Sequence, residues 1–164
     1  MPVSRFRISW VLRDQLALGP APVALRHLDR LADEGIKAVL SFCAPEEHVQ
    51  LAELQQRFHA ARVVLPDHRS PHPPTPDQLQ RALEALATLR RHGPVFVHCL
   101  ASMERSPLVC LAWLMREKRL TRLQALDYLS QVHTGTNPLP EQLALLPVQG
   151  WLEVDGAQGP QSPT

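Results

Sequence analysis

No apolar run in the sequence approaches the roughly 18–20 residues that a membrane-spanning helix needs. The first residues also lack the apolar stretch of a signal peptide, so we expect neither membrane insertion nor export. Only three cysteines occur in 164 residues, too few for a disulfide framework. The reducing cytoplasm is therefore the expected location.

No charge sign dominates either, since 17 basic residues face 16 acidic ones for a net charge of +1. This balance argues against non-specific nucleic-acid binding and against a membrane-surface protein. With 45% apolar and 20% charged residues the composition is that of one ordinary globular domain, which we place at residues 1–153 and expect to be a monomer. Residues 154–164 have nothing to bury, so we predict a disordered tail.

Short apolar runs alternate with stretches of helical period, a pattern typical of an α/β domain. We predict a central, mostly parallel sheet of about five strands flanked by helices. The predicted strands are residues 6–12, 15–19, 36–43, 61–65 and 94–98, of which the first two would form a hairpin. The predicted helices are residues 24–34, 45–54, 76–92, 106–118, 122–132 and 140–146. Five prolines in residues 66–76 predict a stiff loop.

The segment HCLASMERS, residues 98–106, carries the clearest chemical signal. A predicted strand ends at His98-Cys99, and Arg105-Ser106 begins an apolar helix after five intervening residues. Such a loop can turn its N–H groups towards an anion, and the helix dipole adds about half a positive charge there. Arg105 supplies a planar fork for two phosphate oxygens, and the same field should stabilise a Cys99 thiolate. The predicted phosphate-binding residues are Leu100, Ala101, Ser102, Met103, Glu104 and Arg105.

This segment resembles the signature of the cysteine-dependent protein phosphatases, in particular their small dual-specificity branch: His-Cys, five residues, Arg, then Ser or Thr. The resemblance extends over residues 8 to 146. It implies that Cys99 is the nucleophile and that the Ser106 hydroxyl bonds the cysteine sulfur and eases breakdown of the intermediate, although Ser106 is also a natural N-cap. It further implies that His98 supports the loop from behind.

The resemblance also requires a general acid upstream, because a poor leaving group needs a proton as its P–O bond breaks. Asp67 lies 32 residues before Cys99 in the proline-rich loop and is our candidate. Asp77 is the rival, yet a carboxylate in the first turn of a helix is expected for dipole reasons alone. Some phosphatases of this branch have a cysteine where Cys43 stands, which makes Cys43 either a redox partner of Cys99 or a buried core residue.

Two residues depart from the family pattern. Ser102 stands where the loop usually carries glycine, so it could strain or narrow the cradle. Glu104 brings a negative charge close to the bound anion. These departures leave a phosphoresidue-binding pseudophosphatase as the alternative to an enzyme.

The loop interior LASME holds no Lys or Arg, which favours a singly phosphorylated protein over a highly charged substrate. We therefore expect hydrolysis of phosphotyrosine, with phosphoserine and phosphothreonine as further candidates, through a cysteinyl-phosphate intermediate. No cofactor is expected. No metal is expected either, because His68 and His72 share the proline-rich loop without the spacing of a zinc site.

Overall fold

A computed structural model of the protein describes residues 5–151, so the predicted tail at 154–164 lies outside the described residues. Five strands form one sheet in the order β1-β2-β5-β3-β4. Their bounds are Ser9–Leu12 (β1), Leu16–Gly19 (β2), Ala38–Ser41 (β3), His59–Arg62 (β4) and Val95–His98 (β5). Strands β1 and β2 pair antiparallel as a hairpin, and every other pairing is parallel. The predicted mostly parallel sheet is therefore confirmed.

The helices lie in the connections between and after these strands. Their bounds are Leu25–Asp33 (α1), Leu54–Arg57 (α2), Pro76–Arg90 (α3), Arg105–Glu117 (α4), Arg122–Val132 (α5) and Pro140–Leu143 (α6). Helix α3 begins with a capping box, in which Thr75 Oγ1 accepts from the Gln78 N–H and the Gln78 side chain accepts from the Thr75 N–H. No helix within residues 5–151 is long and apolar enough to cross a membrane.

The helix predicted from Pro45 to Leu54 is wrong. Between residues 45 and 54 only Leu54, the first residue of α2, is helical, and Val49, which the helical spacing would have buried, is 83% exposed. Side-chain bonds hold this segment instead: Glu47 Oε1 accepts from the Ala44 N–H, and Arg62 donates to the carbonyls of Cys43 and His48, the second of which a helix would have paired within the segment. The predicted strand at 61–65 is also displaced, since β4 ends at Arg62.

Strand β5 lies at the centre of the sheet and is buried on both faces. One apolar layer packs α3, α4 and α5 against the side chains of Val95 and Val97, and a second packs α1 against Phe96. Because β2, β5, β3 and β4 run parallel, their carboxyl ends share one edge of the sheet. His98 ends β5 at that edge, so Cys99 and the following loop emerge where ligands bind in sheets of this kind.

Candidate active site

The loop between β5 and α4 turns its carbonyls outward and leaves its N–H groups unused. The carbonyls of Leu100, Ser102 and Met103 accept bonds from surrounding elements, the donors being Ala21 N at 3.2 Å, His133 Nε2 at 2.7 Å and Asn137 N at 2.7 Å. Within the described part of the chain, no acceptor receives a bond from the N–H groups of residues 100–104. This backbone therefore offers a set of donors to an anion.

Ser102 stands where the family loop usually carries glycine, and it adopts the left-handed backbone conformation that glycine favours. Its φ is 65° and its side chain is buried. His133, at the carboxyl end of α5, places Nε2 3.0 Å from Ser102 Oγ as well as donating to the Ser102 carbonyl. Ser9 Oγ lies 2.9 Å from His133 Nδ1 on the other side of the ring. Neither His133 nor Ser9 was predicted from the sequence, because contacts between residues so distant along the chain leave no local signal.

Cys99 is 2% exposed at the base of the loop. Ser106 Oγ donates to its sulfur at 3.0 Å. The expectation that Ser106 also serves as an N-cap is wrong: Glu104 occupies the N-cap position without a side-chain cap bond, and Ser106 is the second residue of α4. Its hydroxyl is therefore available to the sulfur.

His98 lies fully buried behind the loop and donates from Nδ1 to the Cys99 carbonyl at 3.0 Å. Burial lowers the pKa of His98 to about 3, so the ring is uncharged at neutral pH. His98 Nε2 is buried and has no partner among residues 5–151. The histidine thus fixes the backbone at Cys99 rather than adding a positive charge to the site.

Arg105 is held by Glu47, a residue that was not predicted from the sequence. Its two terminal nitrogens each lie 2.9 Å from one carboxylate oxygen of Glu47, and Nη1 also donates to the carbonyls of Phe42 and Leu65. Of the five N–H donors of an arginine, Nε–H and one N–H of Nη2 remain. Nε is buried without a partner in the described residues. These two donors share one edge of the guanidinium, so a bidentate bond to a phosphate stays available.

Asp67 lines the same cavity of about 280 Å³ as Cys99 and Arg105. Arg69 holds its carboxylate through the backbone N–H at 3.0 Å, Nε at 2.8 Å and Nη2 at 2.7 Å. Partial burial acts to raise the pKa of Asp67, but the bonds and charge of Arg69 outweigh it and lower that pKa overall. Asp77 is exposed in the first turn of α3 and does not line this cavity.

The carboxylate of Glu104 is bound by two neighbours. His68 Nδ1 lies 2.9 Å from Oε2, and Gln142 Nε2 donates to Oε1 at 3.0 Å. The negative charge that raised doubt in the sequence is thus partnered, and it connects the phosphate loop with the loop that bears Asp67. His68, considered above only as a metal ligand, was missed in this role.

Cys43 lies beyond β3 at the same sheet edge and is fully buried. The preceding residue, Phe42, connects this segment to the site, because its N–H donates to the His98 carbonyl at 2.9 Å. Burial raises the pKa of Cys43 to about 11, so at neutral pH it is a thiol. Its pairing with Cys99 under oxidation stays a prediction.

Comparison with known proteins gives a consistent picture. The family described as "Dual specificity phosphatase, catalytic domain" matches residues 16–147. Human dual specificity protein phosphatase 5 is 37% identical over 60 residues, which cover 36% of this chain and 16% of that protein. The dual specificity protein phosphatase PHS1 of Arabidopsis thaliana is 29% identical over 133 residues, or 78% of this chain and 14% of that protein. The chain thus matches only a small part of the length of these relatives.

Among solved structures, the active form of Tk-PTP superimposes with a TM-score of 0.72. It is 23% identical, and the match covers 84% of this chain and 92% of that one. At this identity the likeness shows the fold alone.

Proposed function

The chain belongs to the dual specificity phosphatase family, and from this premise we propose that it hydrolyses phosphate monoesters on protein side chains. Phosphotyrosine is the first candidate substrate, followed by phosphoserine and phosphothreonine. One observation carries the proposal: Cys99 lies at the base of a loop whose five N–H groups are unpaired in the described part of the chain, beside the unpaired Nε of Arg105 and in a cavity that Asp67 also lines.

In the first step the substrate phosphate lies in the N–H cradle and against the free edge of Arg105. The Cys99 thiolate attacks phosphorus, so an S–P bond forms while the P–O bond to the side chain breaks. Asp67 gives its proton to the leaving oxygen. Arg69 lowers the pKa of Asp67, so Asp67 must take up this proton when the substrate binds. The negative charge of the phosphate dianion favours that uptake, because it repels the Asp67 carboxylate.

In the second step water attacks the cysteinyl phosphate. The Asp67 carboxylate takes a proton from this water, an O–P bond forms and the S–P bond breaks. Phosphate leaves, and Cys99 returns as a thiolate that accepts the Ser106 hydroxyl. The same carboxyl group therefore serves as acid in one step and as base in the next.

The surroundings of the cavity favour a phosphorylated protein. Leu100 and Met103 are each 47% exposed beside it and offer apolar contact to the rest of a substrate residue. The loop itself has no Lys or Arg to attract several charges. We also keep the cytoplasm as the location of this activity, since a thiolate nucleophile needs a reducing environment.

A phosphoresidue-binding protein with little turnover is the second candidate. The observation in its favour is that the hydrogen bonds and charge of Arg69 lower the pKa of Asp67, which opposes protonation of the proposed acid. Such a protein would use the same cradle and lack only the proton transfer.

Hydrolysis of p-nitrophenyl phosphate and of phosphotyrosine, phosphoserine and phosphothreonine peptides tests the proposal, with a chelator present throughout. Wild type should hydrolyse the aryl phosphate and be inhibited by vanadate, and Cys99→Ser should be inactive. Cys110→Ala is the matched control, since this thiol lies on α4 outside the cavity and should keep activity if the protein folds. Turnover by Cys99→Ser would refute the mechanism, whereas phosphopeptide binding without turnover by wild type would establish the second candidate.

A further inference from the structure

A larger cavity, of about 640 Å³, lies on the other side of the phosphate loop. Leu100 and Ala101 line both this cavity and the one that contains Cys99, so the two adjoin across these residues. One wall of this larger cavity consists of residues of the chain before and at the start of β1, among them Arg5 and Arg7. We call this second cavity the Arg5/Arg7 pocket.

The topology fixes this wall at the edge where the candidate active site lies. Strand β1 runs antiparallel to β2, so the residues that precede β1 lie at the carboxyl end of β2. Gly19, which ends β2 and pairs with His98, meets the backbone of Arg7 so closely that a Cβ on it would overlap the Arg7 carbonyl oxygen. The segment is therefore pressed against the strand beside the one that bears Cys99.

Alternation along this extended segment points the arginines into the pocket. Phe6 and Ile8 pack into the apolar layer around Phe96, and Arg5 and Arg7 fall on the opposite side. Phe6 anchors the segment: it is buried and stacks on His27 with ring centroids 4.3 Å apart.

Arg5 and Arg7 are unpaired, since neither side chain makes a hydrogen bond or ion pair with any residue in the range 5–151. By contrast, the two arginines of the active cavity already hold carboxylates: Arg105 bonds Glu47, and Arg69 bonds Asp67. Among the described residues, no Asp or Glu lines the Arg5/Arg7 pocket. The described residues that line the pocket therefore give it a net positive charge.

We propose that the Arg5/Arg7 pocket binds acidic side chains of the substrate peptide close to the phosphorylated residue. The inference rests on the proposed function and adds a substrate preference to it. A peptide whose phosphate lies over Cys99 would cross the exposed, apolar Leu100 and Ala101 and reach the pocket within a few residues, because an extended chain advances roughly 3.3 Å per residue. The guanidinium forks then bind carboxylates.

The test compares phosphotyrosine peptides that carry Glu or Gln at each of about four positions on either side of the phosphorylated residue. Binding is measured by fluorescence anisotropy with the Cys99→Ser protein, and kcat/KM with wild type. Two partly exposed ion pairs predict that Glu is preferred over Gln by about tenfold at the best position. Adding Arg5→Gln and Arg7→Gln together should reduce this ratio to below about twofold. Arg91→Gln, which removes an exposed arginine at the end of α3, is the matched control and should keep the ratio.

A Glu/Gln ratio near one at every position, or a preference that survives the double Arg5→Gln/Arg7→Gln change, would overturn the proposal. The proposal would also be overturned if a soluble, short-chain phosphoinositide bound more tightly than the best acidic peptide. The pocket would then be assigned to a lipid headgroup. Failure of the proposed function gives a different result, because wild type would then turn over none of the peptides. The Glu/Gln binding ratio of the Cys99→Ser protein does not depend on turnover, so it would still test the Arg5/Arg7 pocket.

Discussion

The support that His133 gives to Ser102 makes a quantitative prediction for the phosphate cradle. A left-handed conformation costs a residue other than glycine roughly 1–2 kcal/mol, and Ser102 holds a φ of 65° in the middle of the loop. His133 Nε2 lies 2.7 Å from the Ser102 carbonyl oxygen and 3.0 Å from its hydroxyl oxygen. Nε2 carries one proton and the carbonyl oxygen can only accept, so the two contacts share this proton as one bifurcated bond. Such a bond contributes about 1 kcal/mol net. His133→Ala should therefore release the loop from the conformation that this bond supports.

If this shared bond supports anion binding, its loss costs about 1 kcal/mol, which corresponds to a roughly fivefold weaker affinity for vanadate. The same change in a Ser102→Gly background should cost less than about twofold, because glycine adopts the left-handed conformation without strain and needs no bond to hold it there. The coupling between the two positions is then about 0.5–1 kcal/mol. His133→Gln should recover part of the affinity, since its amide can donate to the Ser102 carbonyl.

Vanadate inhibition and kcat/KM for p-nitrophenyl phosphate would be measured for the wild type, both single variants and the double variant, with urea unfolding to confirm that each is folded. His92→Ala is the matched control, because His92 is exposed and stacks on His59 away from the loop. Equal losses from His133→Ala in the wild-type and Ser102→Gly backgrounds, or a vanadate affinity of His133→Ala within twofold of wild type, would refute the reasoning.

Three further predictions concern groups around the same cavity. Asp67→Asn should slow poor leaving groups about 10²–10⁴-fold and good ones far less, while Asp77→Asn does little; a larger, leaving-group-dependent loss in Asp77→Asn would reverse the assignment. Arg69→Ala removes the bonds that lower the pKa of Asp67, so this pKa should rise and the acid should stay protonated to higher pH. The alkaline limb of the pH profile of kcat/KM should then shift to higher pH, and an unchanged limb would show that it does not report the titration of Asp67. Peroxide inactivation of wild type should be reversed by a thiol reductant but become largely irreversible in Cys43→Ser, and peptide mapping that finds no link between Cys43 and Cys99 would leave Cys43 as a core residue.

The parts of this protein that local sequence determines were predictable. The apolar runs of the strands, the capping residues of α3 and the apolar helix α4 each express a preference within a few neighbouring residues. The strand–loop–helix spacing around Cys99 and Arg105 is local in the same sense. The central position of β5 also follows, because Val95, Phe96 and Val97 put apolar side chains on both faces of the strand, as a strand buried on both faces requires.

The partners of the loop were not predictable in this way. The helical spacing of residues 45–54 predicted a helix and gave no reason to place Glu47 in the site. The one available signal was that an acidic residue follows shortly after the carboxyl end of β3, at the edge of the sheet where ligands bind. Ser9 and His133 are 124 residues apart and meet only because β1 lies beside α5 in the folded chain. His68 and Glu104 likewise meet across two loops. Such contacts depend on topology, which no short segment of sequence expresses.

Chemical trapping of the phosphorylated protein tests the proposed cysteinyl phosphate most directly. Ser106→Ala removes the hydroxyl that lies 3.0 Å from the Cys99 sulfur and should slow breakdown of the intermediate. After rapid acid quench of this variant with a phosphotyrosine peptide, mass spectrometry should find one phosphoryl group on the proteolytic fragment that contains Cys99, and none when Cys99→Ser is added. Turnover without any phosphorylated fragment, or a phosphoryl group on another residue, would contradict the account.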